Sequence, residues 1–172
     1  MNLRDVKNKI WSGGITKELY KDTKDYNIRI SCAKIESGEN IFSDFRGYRR
    51  ILKILEGKVL LRKGEEEIEL IPNKTFIFKG SEHINSKNNL EVLDFNIIYK
   101  PEKIEVDIKE LTGKNLIDFK GKTLIFSKKN HTTIEINNNF KIMDKYDFLI
   151  TNSNKIKTNG DLIAVSFIRK IE

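Results

Sequence analysis

Apolar and polar residues alternate with a period of two along much of this chain. In residues 28–33 the first, third and fifth positions are apolar (Ile28, Ile30 and Cys32), and residues 93–98 repeat the pattern. Alternation at this spacing places the two sets of side chains on opposite faces of a β-strand. Both segments are therefore predicted to be strands with one apolar face.

Short apolar runs separated by turn residues indicate an antiparallel β-sandwich or barrel. Turns are predicted at residues 56–58, 63–65, 72–74 and 137–139, and Asn159-Gly160 is a hairpin signal. No long stretch with the 3.6-residue period of a helix is present. The other predicted strands are residues 50–55, 59–62, 67–71, 75–78, 104–108, 123–126, 132–136, 140–143, 146–150 and 162–168.

The chain has 172 residues and only two prolines, with no Ser/Gly-rich linker. We therefore expect an all-β protein with little helix, made of two β-rich halves, residues 1–100 and 101–172, packed as one unit. A homodimer would be compatible with the exposed sheet edges of such halves.

The net charge of +7 comes from lysines scattered among glutamates and asparagines. A protein that follows a phosphate backbone concentrates its cations in a patch or stripe, so neither nucleic acid nor a membrane surface is expected as a partner. No segment has the length of a membrane span, and residues 1–10 lack the apolar core of a signal peptide. With Cys32 as its one cysteine, the chain is expected in the cytoplasm.

Several motifs occur in the order found in the HutD/Ves family. They are Trp11-Ser-Gly-Gly-Ile-Thr-Lys-Glu-Leu19, Arg29-Ile-Ser-Cys-Ala-Lys-Ile-Glu36, Phe42-Ser-Asp-Phe-Arg-Gly-Tyr-Arg49, and then Leu52, Leu55, Glu56-Gly57, Phe78-Lys79-Gly80 and Asp94-Phe95-Asn96. The chain resembles this family over residues 11–98. Residues 101–172 fit only as a generic second β-barrel.

The resemblance implies a cupin-like fold of double-stranded β-helix (jelly-roll) type in two halves, a bicupin, with a ligand pocket. Some members are associated with the control of histidine utilisation, and no agreed enzymatic activity accompanies the fold. Many relatives carry an additional Asn and a third Gly in the opening motif, which this chain lacks, so no role for that asparagine carries over.

A catalytic metal of the usual cupin type is not expected. Such a site needs three or more protein ligands, mostly histidines from adjacent strands. The chain has two histidines, His83 and His131, in different halves, and both are interpreted as loop residues. Cys32 lies on an apolar face, where a thiol acts as a small hydrophobe. No metal and no other cofactor are therefore predicted.

Arg29 and Ser31 share the polar face of one strand, and Asp94 and Asn96 share that of another. In a simple sandwich these faces would meet water, whereas in a cupin they can line the interior. An arginine in that place suits a carboxylate ligand. Otherwise it needs an acidic partner, and Asp94 and Glu18 are the candidates. A buried Arg29–Asp94 ion pair without a ligand is the structural alternative.

The Trp11 motif, which includes Thr16, and the loop carrying Arg49 could both cover the cavity mouth. Gly47 indicates a backbone conformation closed to other residues in that loop. The alternatives are that Trp11 packs into the core and that Arg46, Arg49 and Arg50 form a basic surface cluster. The ligand-binding candidates are Trp11, Thr16, Glu18, Arg29, Ser31, Arg49, Asp94 and Asn96.

Three functions remain open at this point. The first is a metal-free binder of a small carboxylate-bearing metabolite with a sensing or regulatory role linked to amino-acid utilisation. The second is an enzyme, an isomerase or lyase or a cupin with an unusual metal site, in which Glu18, Asp94 and His83 would be the acid–base candidates. The third is a polyanion-binding module.

Overall fold

The structure, a computed structural model, describes residues 1–171. Within them the only helix is a single 3-10 turn, Leu3–Asp5, and all other regular structure is β-strand, as predicted. No helix in this part of the chain has the length and apolarity needed to cross a membrane. Two compact units are present, a first unit of residues 6–101 and a second unit of residues 1–5 with 102–171.

The first unit consists of two antiparallel sheets. Its strands are β1 Asn8–Trp11, β2 Gly14–Lys21, β3 Ile28–Ile35, β4 Gly38–Ile41, β5 Arg49–Glu56, β6 Val59–Lys63, β7 Glu66–Leu70, β8 Thr75–Lys79, β9 Asn85–Asn88 and β10 Val92–Tyr99. One sheet has the order β1-β2-β3-β10-β5-β8, and the other has the order β4-β9-β6-β7. Strands β1 and β4 therefore lie at sheet edges.

Strand register divides the inner face of the six-stranded sheet into an apolar end and a polar end. Strand β10 lies between β3 and β5, with Val92 opposite Ile35 and Asn96 opposite Ser31. Because side chains alternate, Ile35 and Val92 share one face with the polar residues farther along their strands. The apolar end joins residues of the four-stranded sheet in one core cluster: Ile35, Leu52, Ile54, Val59, Leu61, Leu70, Phe78, Ile84 and Val92.

The second unit is organised around one long antiparallel pair. Its strands are β11 Ile104–Asp118, β12 Lys122–Ser127, β13 Thr132–Ile136, β14 Asn139–Met143, β15 Phe148–Thr151 and β16 Lys155–Arg169. Strand β16 pairs with β11 over the full length of both, and the sheet order is β14-β13-β16-β12-β15. Its core contains Ile117, Phe119, Ile125, Ile134, Met143, Ile156, Leu162 and Ala164.

Two turn predictions in the second unit have opposite outcomes. Asn137 and Asn138 have φ angles of 49° and 63° and form the two-residue loop between β13 and β14, which confirms the turn. The hairpin predicted at Asn159-Gly160 is wrong, because both residues lie inside β16 and pair with β11. A Cβ atom at Gly160 would lie 2.6 Å from the Thr132 hydroxyl, so this glycine permits close approach.

The segment around Tyr146 also differs from the prediction. Tyr146 has a φ of 68° and belongs to a turn, so β15 begins only at Phe148. The carbonyl of Tyr146 accepts a hydrogen bond from the Leu3 backbone, and the carbonyl of Met1 accepts one from Phe148. The N-terminal residues are thus bonded to this turn.

Candidate functional site

The polar end of the first unit's inner face opens into a cavity of about 250 Å³. That volume corresponds to roughly eight water molecules. The walls come from both sheets and from the loop that follows β4. The lining residues are Lys9, Ile10, Trp11, Thr16, Arg29, Ser31, Ala33, Ile35, Ile41, Phe42, Ser43, Phe45, Arg50, Asp94, Asn96 and Ile98.

Four of the predicted site residues converge on one wall. Arg29 and Ser31 on β3 and Asp94 and Asn96 on β10 all line the cavity. Ser31, Asp94 and Asn96 are buried, with exposures of 1%, 3% and 7%. The alternative in which this face meets bulk water is therefore wrong. The β3 and β10 strands present polar groups to the interior because Asp94 pairs with Ala33, and Asn96 with Ser31.

Arg50 was predicted on the surface, and the structure corrects this. It is 5% exposed and lines the cavity. Its guanidinium carbon lies 4.9 to 5.3 Å from the ring centres of Phe42, Phe45 and Phe78, so three aromatic side chains surround the charge. The sequence pattern does not indicate this position, because Arg50 shares one phase of β5 with Leu52 and Ile54 while Arg49 shares the other with the equally apolar Ile51 and Leu55.

The guanidinium of Arg50 is only partly satisfied by the protein. One terminal nitrogen donates to the Ser43 carbonyl at 3.5 Å, while Nε is buried without a hydrogen-bond partner in the described residues. Burial lowers the pKa of Arg50 to about 10, with the charge of Asp94 opposing this shift, so the group is cationic at neutral pH. A buried cation with a free donor favours an anionic ligand.

Arg29 lies between a carboxylate and an aromatic ring. Its Nε is 4.0 Å from Glu18 Oε2, and its guanidinium lies 5.6 Å from the centre of the Tyr26 ring. Glu18 does not line the cavity and also pairs with Lys9 at 2.9 Å and Lys21 at 3.4 Å. Burial alone would raise the pKa of Glu18, but Lys9 and Lys21 hold it below its usual value.

Asp94 is a buried carboxyl group facing these cations. Its Oδ1 accepts a hydrogen bond of 2.9 Å from the Ala33 backbone amide. Burial raises the pKa of Asp94 to about 7, although the Ala33 hydrogen bond and the charges of Arg50 and Arg29 act in the opposite direction. Arg29 pairs with Glu18 rather than with Asp94, so the alternative of a buried Arg29–Asp94 ion pair is wrong. With a pKa of about 7, the Asp94 carboxyl is partly protonated at neutral pH.

Trp11 and Thr16 lie on the cavity wall formed by β1 and β2. Trp11 is only half-buried, so the alternative in which it packs into the core is wrong. Its Nε1 is buried without a hydrogen-bond partner among the described residues. The ring lies against Gly13, where a Cβ atom would be 2.2 Å from Trp11 Cζ3.

The loop between β4 and β5 is held against the end of β8. The Phe45 amide donates to the Gly80 carbonyl at 2.8 Å, and the Gly80 amide donates to the Tyr48 carbonyl at 2.7 Å. Gly47 has a φ of 80°, which confirms the predicted conformation. At the start of β5, directly after this loop, Arg50 lines the cavity while Arg49 is exposed and lies outside the lining.

The residues that could bind a metal are dispersed. The described residues contain no group of three or more His, Cys, Asp and Glu side chains placed to hold a metal ion. His83 and His131 are both exposed, and neither lines the cavity. Cys32 is buried, and burial raises the pKa of its thiol well above the usual value, as expected for an inert thiol.

The HutD family model matches residues 3–164. This chain belongs to the HutD family. The match covers most of the second unit's sequence as well, beyond the motifs that carried the resemblance. A relative from Pseudomonas putida, an uncharacterized 21.2 kDa protein in the hutC 3′ region, is 30% identical over 132 residues, covering 72% of this chain and 69% of the relative.

Solved structures support the same fold. The structure of HutD from Pseudomonas fluorescens SBW25 (formate condition) has a TM-score of 0.89 at 24% identity and covers 99% of this chain and 97% of that one. A cupin 2 conserved barrel domain protein from Leptotrichia buccalis has a TM-score of 0.68 at 9% identity, with 99% and 95% covered. The predicted cupin-like fold of this HutD-family chain is confirmed, and the bicupin arrangement stays a prediction.

Proposed function

We propose that this HutD-family protein binds a small, carboxylate-bearing metabolite in the cavity of its first unit, with a sensing role linked to amino-acid utilisation. The main support is the buried Arg50 guanidinium, whose Nε has no protein partner in the described part of the chain. The Nε of Arg29 in the same cavity is also without a hydrogen bond. Two guanidinium groups can donate together to one carboxylate.

The rest of the cavity fits a small organic acid. Ser31, Thr16 and Asn96 offer neutral hydrogen-bonding groups to the part of the ligand beyond its carboxylate. The link to amino-acid utilisation rests on the relative from the hutC 3′ region. The choice of a carboxylate agrees with the formate condition of the P. fluorescens HutD structure, because formate is the simplest carboxylate.

Arg50→Met tests the proposal. We expect formate, acetate or a larger organic acid to stabilise the wild type in a thermal-shift screen, and we expect Arg50→Met to lose at least tenfold in affinity. The loss follows from about 1.5 to 3 kcal/mol for hydrogen bonds to a charged group. Methionine suits the aromatic surroundings, so the variant is expected to fold.

Arg49→Met is the matched control, because Arg49 is the exposed neighbour of Arg50. It removes the same charge from the same strand and is expected to leave the affinity unchanged. Equal losses in the two variants would indicate a long-range charge effect and would contradict the site. A full panel of organic acids without any stabilisation would contradict the function.

One observation favours an enzyme as the second candidate. A carboxyl group with a pKa of about 7, such as Asp94, can both accept and donate a proton at neutral pH. An enzyme of this kind is expected to exchange the α-hydrogen of its bound acid in D₂O, in an NMR assay, and Asp94→Asn is expected to abolish the exchange. If the acid exchanges its α-hydrogen no faster with the wild-type protein than in buffer alone, the protein is better described as a binding protein than as an enzyme.

A further inference from the structure

Hydrogen-bond donors and acceptors occupy separate positions along the polar wall of the cavity. Strand β10 carries Asp94, Asn96 and Ile98 on its inner face. Ile98 lies between Arg29 on β3 and Arg50 on β5, so the two guanidinium groups flank one end of this row. The Cα atoms of Asp94 and Ile98 are roughly 13 Å apart at about 3.4 Å per residue, and Asn96 is midway between them.

The acceptor end of the wall is incompletely satisfied by the protein, as the donor end is. Asn96 is 7% exposed, and its Oδ1 is buried without a hydrogen-bond partner among the described residues. The one hydrogen bond that those residues donate to Asp94 comes from the Ala33 amide and goes to Oδ1. Buried polar atoms are normally hydrogen-bonded, so these acceptors indicate a donor group on the ligand. The Nε atoms of the arginines indicate an acceptor on the same ligand.

A charged amine suits these acceptors better than a neutral hydroxyl group does. An ammonium group has three donors, whereas a hydroxyl group has one. Its positive charge also balances the buried carboxylate of Asp94, which a ligand carboxylate alone would repel. The charges of Asp94 and Arg50 influence each other's pKa, so the two groups are close enough for one small zwitterion to lie between them.

We infer that the ligand is an α-amino acid bound as a zwitterion, with its carboxylate at the two arginines and its ammonium group at Asn96 and Asp94. This inference rests on the proposed carboxylate site and adds the group that the acceptors require. The cavity of about 250 Å³ leaves room for a side chain beyond these two groups. A simple organic acid would occupy the donor end and leave Asn96 Oδ1 without a partner.

Acids that differ only in the group on the α-carbon test the inference. The affinities of propionate, lactate and alanine, and of the five-carbon acids valerate, 2-hydroxyvalerate and norvaline, are measured by calorimetry at pH 6 and pH 8. At pH 8 we expect each amino acid to bind about ten- to a hundredfold more tightly than the unsubstituted acid, because it adds hydrogen bonds between charged groups. The hydroxy acid is expected to gain less than the amino acid.

The two pH values test the position of the ammonium group, because Asp94 has a pKa of about 7 and ionises between them. Ionised Asp94 attracts an ammonium group and repels a lone carboxylate, so the preference for alanine over propionate is expected to increase about tenfold from pH 6 to pH 8. The other charged residues on this face of the sheet are Lys9, Glu18, Lys21, Arg29 and Arg50. Residues of these types do not ordinarily titrate between pH 6 and pH 8. The opposite sheet and the loop after β4 add no charged residue to the cavity lining.

Asp94→Asn removes the titrating group, so its preference for alanine should be the same at pH 6 and pH 8. Asp25→Asn is the matched control, because Asp25 is exposed, and it is expected to keep the wild-type change with pH. Three results would overturn the amino acid as ligand and leave the carboxylate site intact: no preference for alanine over propionate, a wild-type preference that does not change with pH, or tighter binding of lactate than of alanine. Failure of every acid to bind would overturn the proposed function itself.

Discussion

Asp94→Asn is expected to gain stability over the wild type as the pH rises. The difference in free energy of unfolding between variant and wild type should grow by about 3 kcal/mol from pH 4.5 to pH 8.5. The wild-type carboxyl is fully buried, and burial raises its pKa to about 7. The asparagine amide has nearly the same shape and can still accept the hydrogen bond from the Ala33 amide. It never ionises, so the cost of a buried charge disappears.

The sign follows from the direction of the shift. The folded-state pKa of Asp94 lies above its unfolded value, so the folded state binds the proton more tightly. The stability that this proton contributes is complete below about pH 4 and is lost as the pH rises through 7. Wild type should therefore lose stability relative to Asp94→Asn across this window.

Urea unfolding at the two pH values measures the difference, with fluorescence of Trp11, the single tryptophan, as the probe of the first unit. Asp25→Asn is the matched control, because Asp25 is exposed in the same unit. Its free energy of unfolding is expected to stay within about 0.5 kcal/mol of wild type at both pH values. A pH-independent difference between wild type and Asp94→Asn would contradict the buried, raised carboxyl.

The same titration predicts how ligand binding responds to pH. An anion placed at Arg50 and Arg29 repels an ionised Asp94, so binding favours the protonated carboxyl. Of the other charged groups at the cavity, Lys9 is paired with Glu18, and Arg50 remains cationic to about pH 9. Carboxylate affinity in the wild type is therefore expected to fall above pH 7, by up to about tenfold per pH unit. In Asp94→Asn it should stay level.

Gly14→Ala is expected to destabilise the first unit by about 3 to 5 kcal/mol. A Cβ atom at Gly14 would lie 1.9 Å from the carbonyl oxygen of Lys34, and the φ of 148° is one that L-residues rarely adopt. Neither atom can move away freely, because Gly14 pairs with Ile35 in the β2–β3 ladder. The β1–β2 hairpin would have to separate from β3 and would carry Trp11 away from the cavity.

Gly64→Ala separates the cost of the backbone conformation from the cost of the steric clash at Gly14. Gly64 has a φ of 60°, and a Cβ atom there would meet nothing within 4 Å. The backbone conformation alone is expected to cost about 1 kcal/mol, measured as a shift in the urea midpoint at constant slope. If Gly14→Ala cost no more than Gly64→Ala, the close approach of β2 to β3 would not be as tight as described.

Much of the sheet was predictable because its strands obey the period of two. The segments around Arg29 and Asp94 were predicted as strands, and β3 and β10 contain them. The polar sides of these strands were also predictable, since Arg29 and Ser31 alternate with apolar residues. Strand β9 gave no such signal, because its sequence Asn-Ser-Lys-Asn is polar and its place is set by pairing with β4 and β6.

The candidate site was predictable in part. The motif around Trp11 and the polar faces that carry Arg29 and Asp94 follow from the sequence. The sequence does not show that Arg50, rather than the predicted Arg49, lines the cavity. Neighbouring residues in a strand point to opposite faces, so a shift of one position decides which arginine enters the cavity. The register of β5 against β10, with Arg50 opposite Ile98, makes that choice.

By itself, the sequence determined the all-β class, the strands of the cavity wall and the family, because alternation and ordered motifs are local properties of a chain. The tertiary structure decided which polar residues are deprived of water, and therefore that Arg50 is an enclosed cation and Asp94 a carboxyl with a raised pKa. Desolvation depends on every atom that surrounds a group, and those atoms come from strands far apart along the chain.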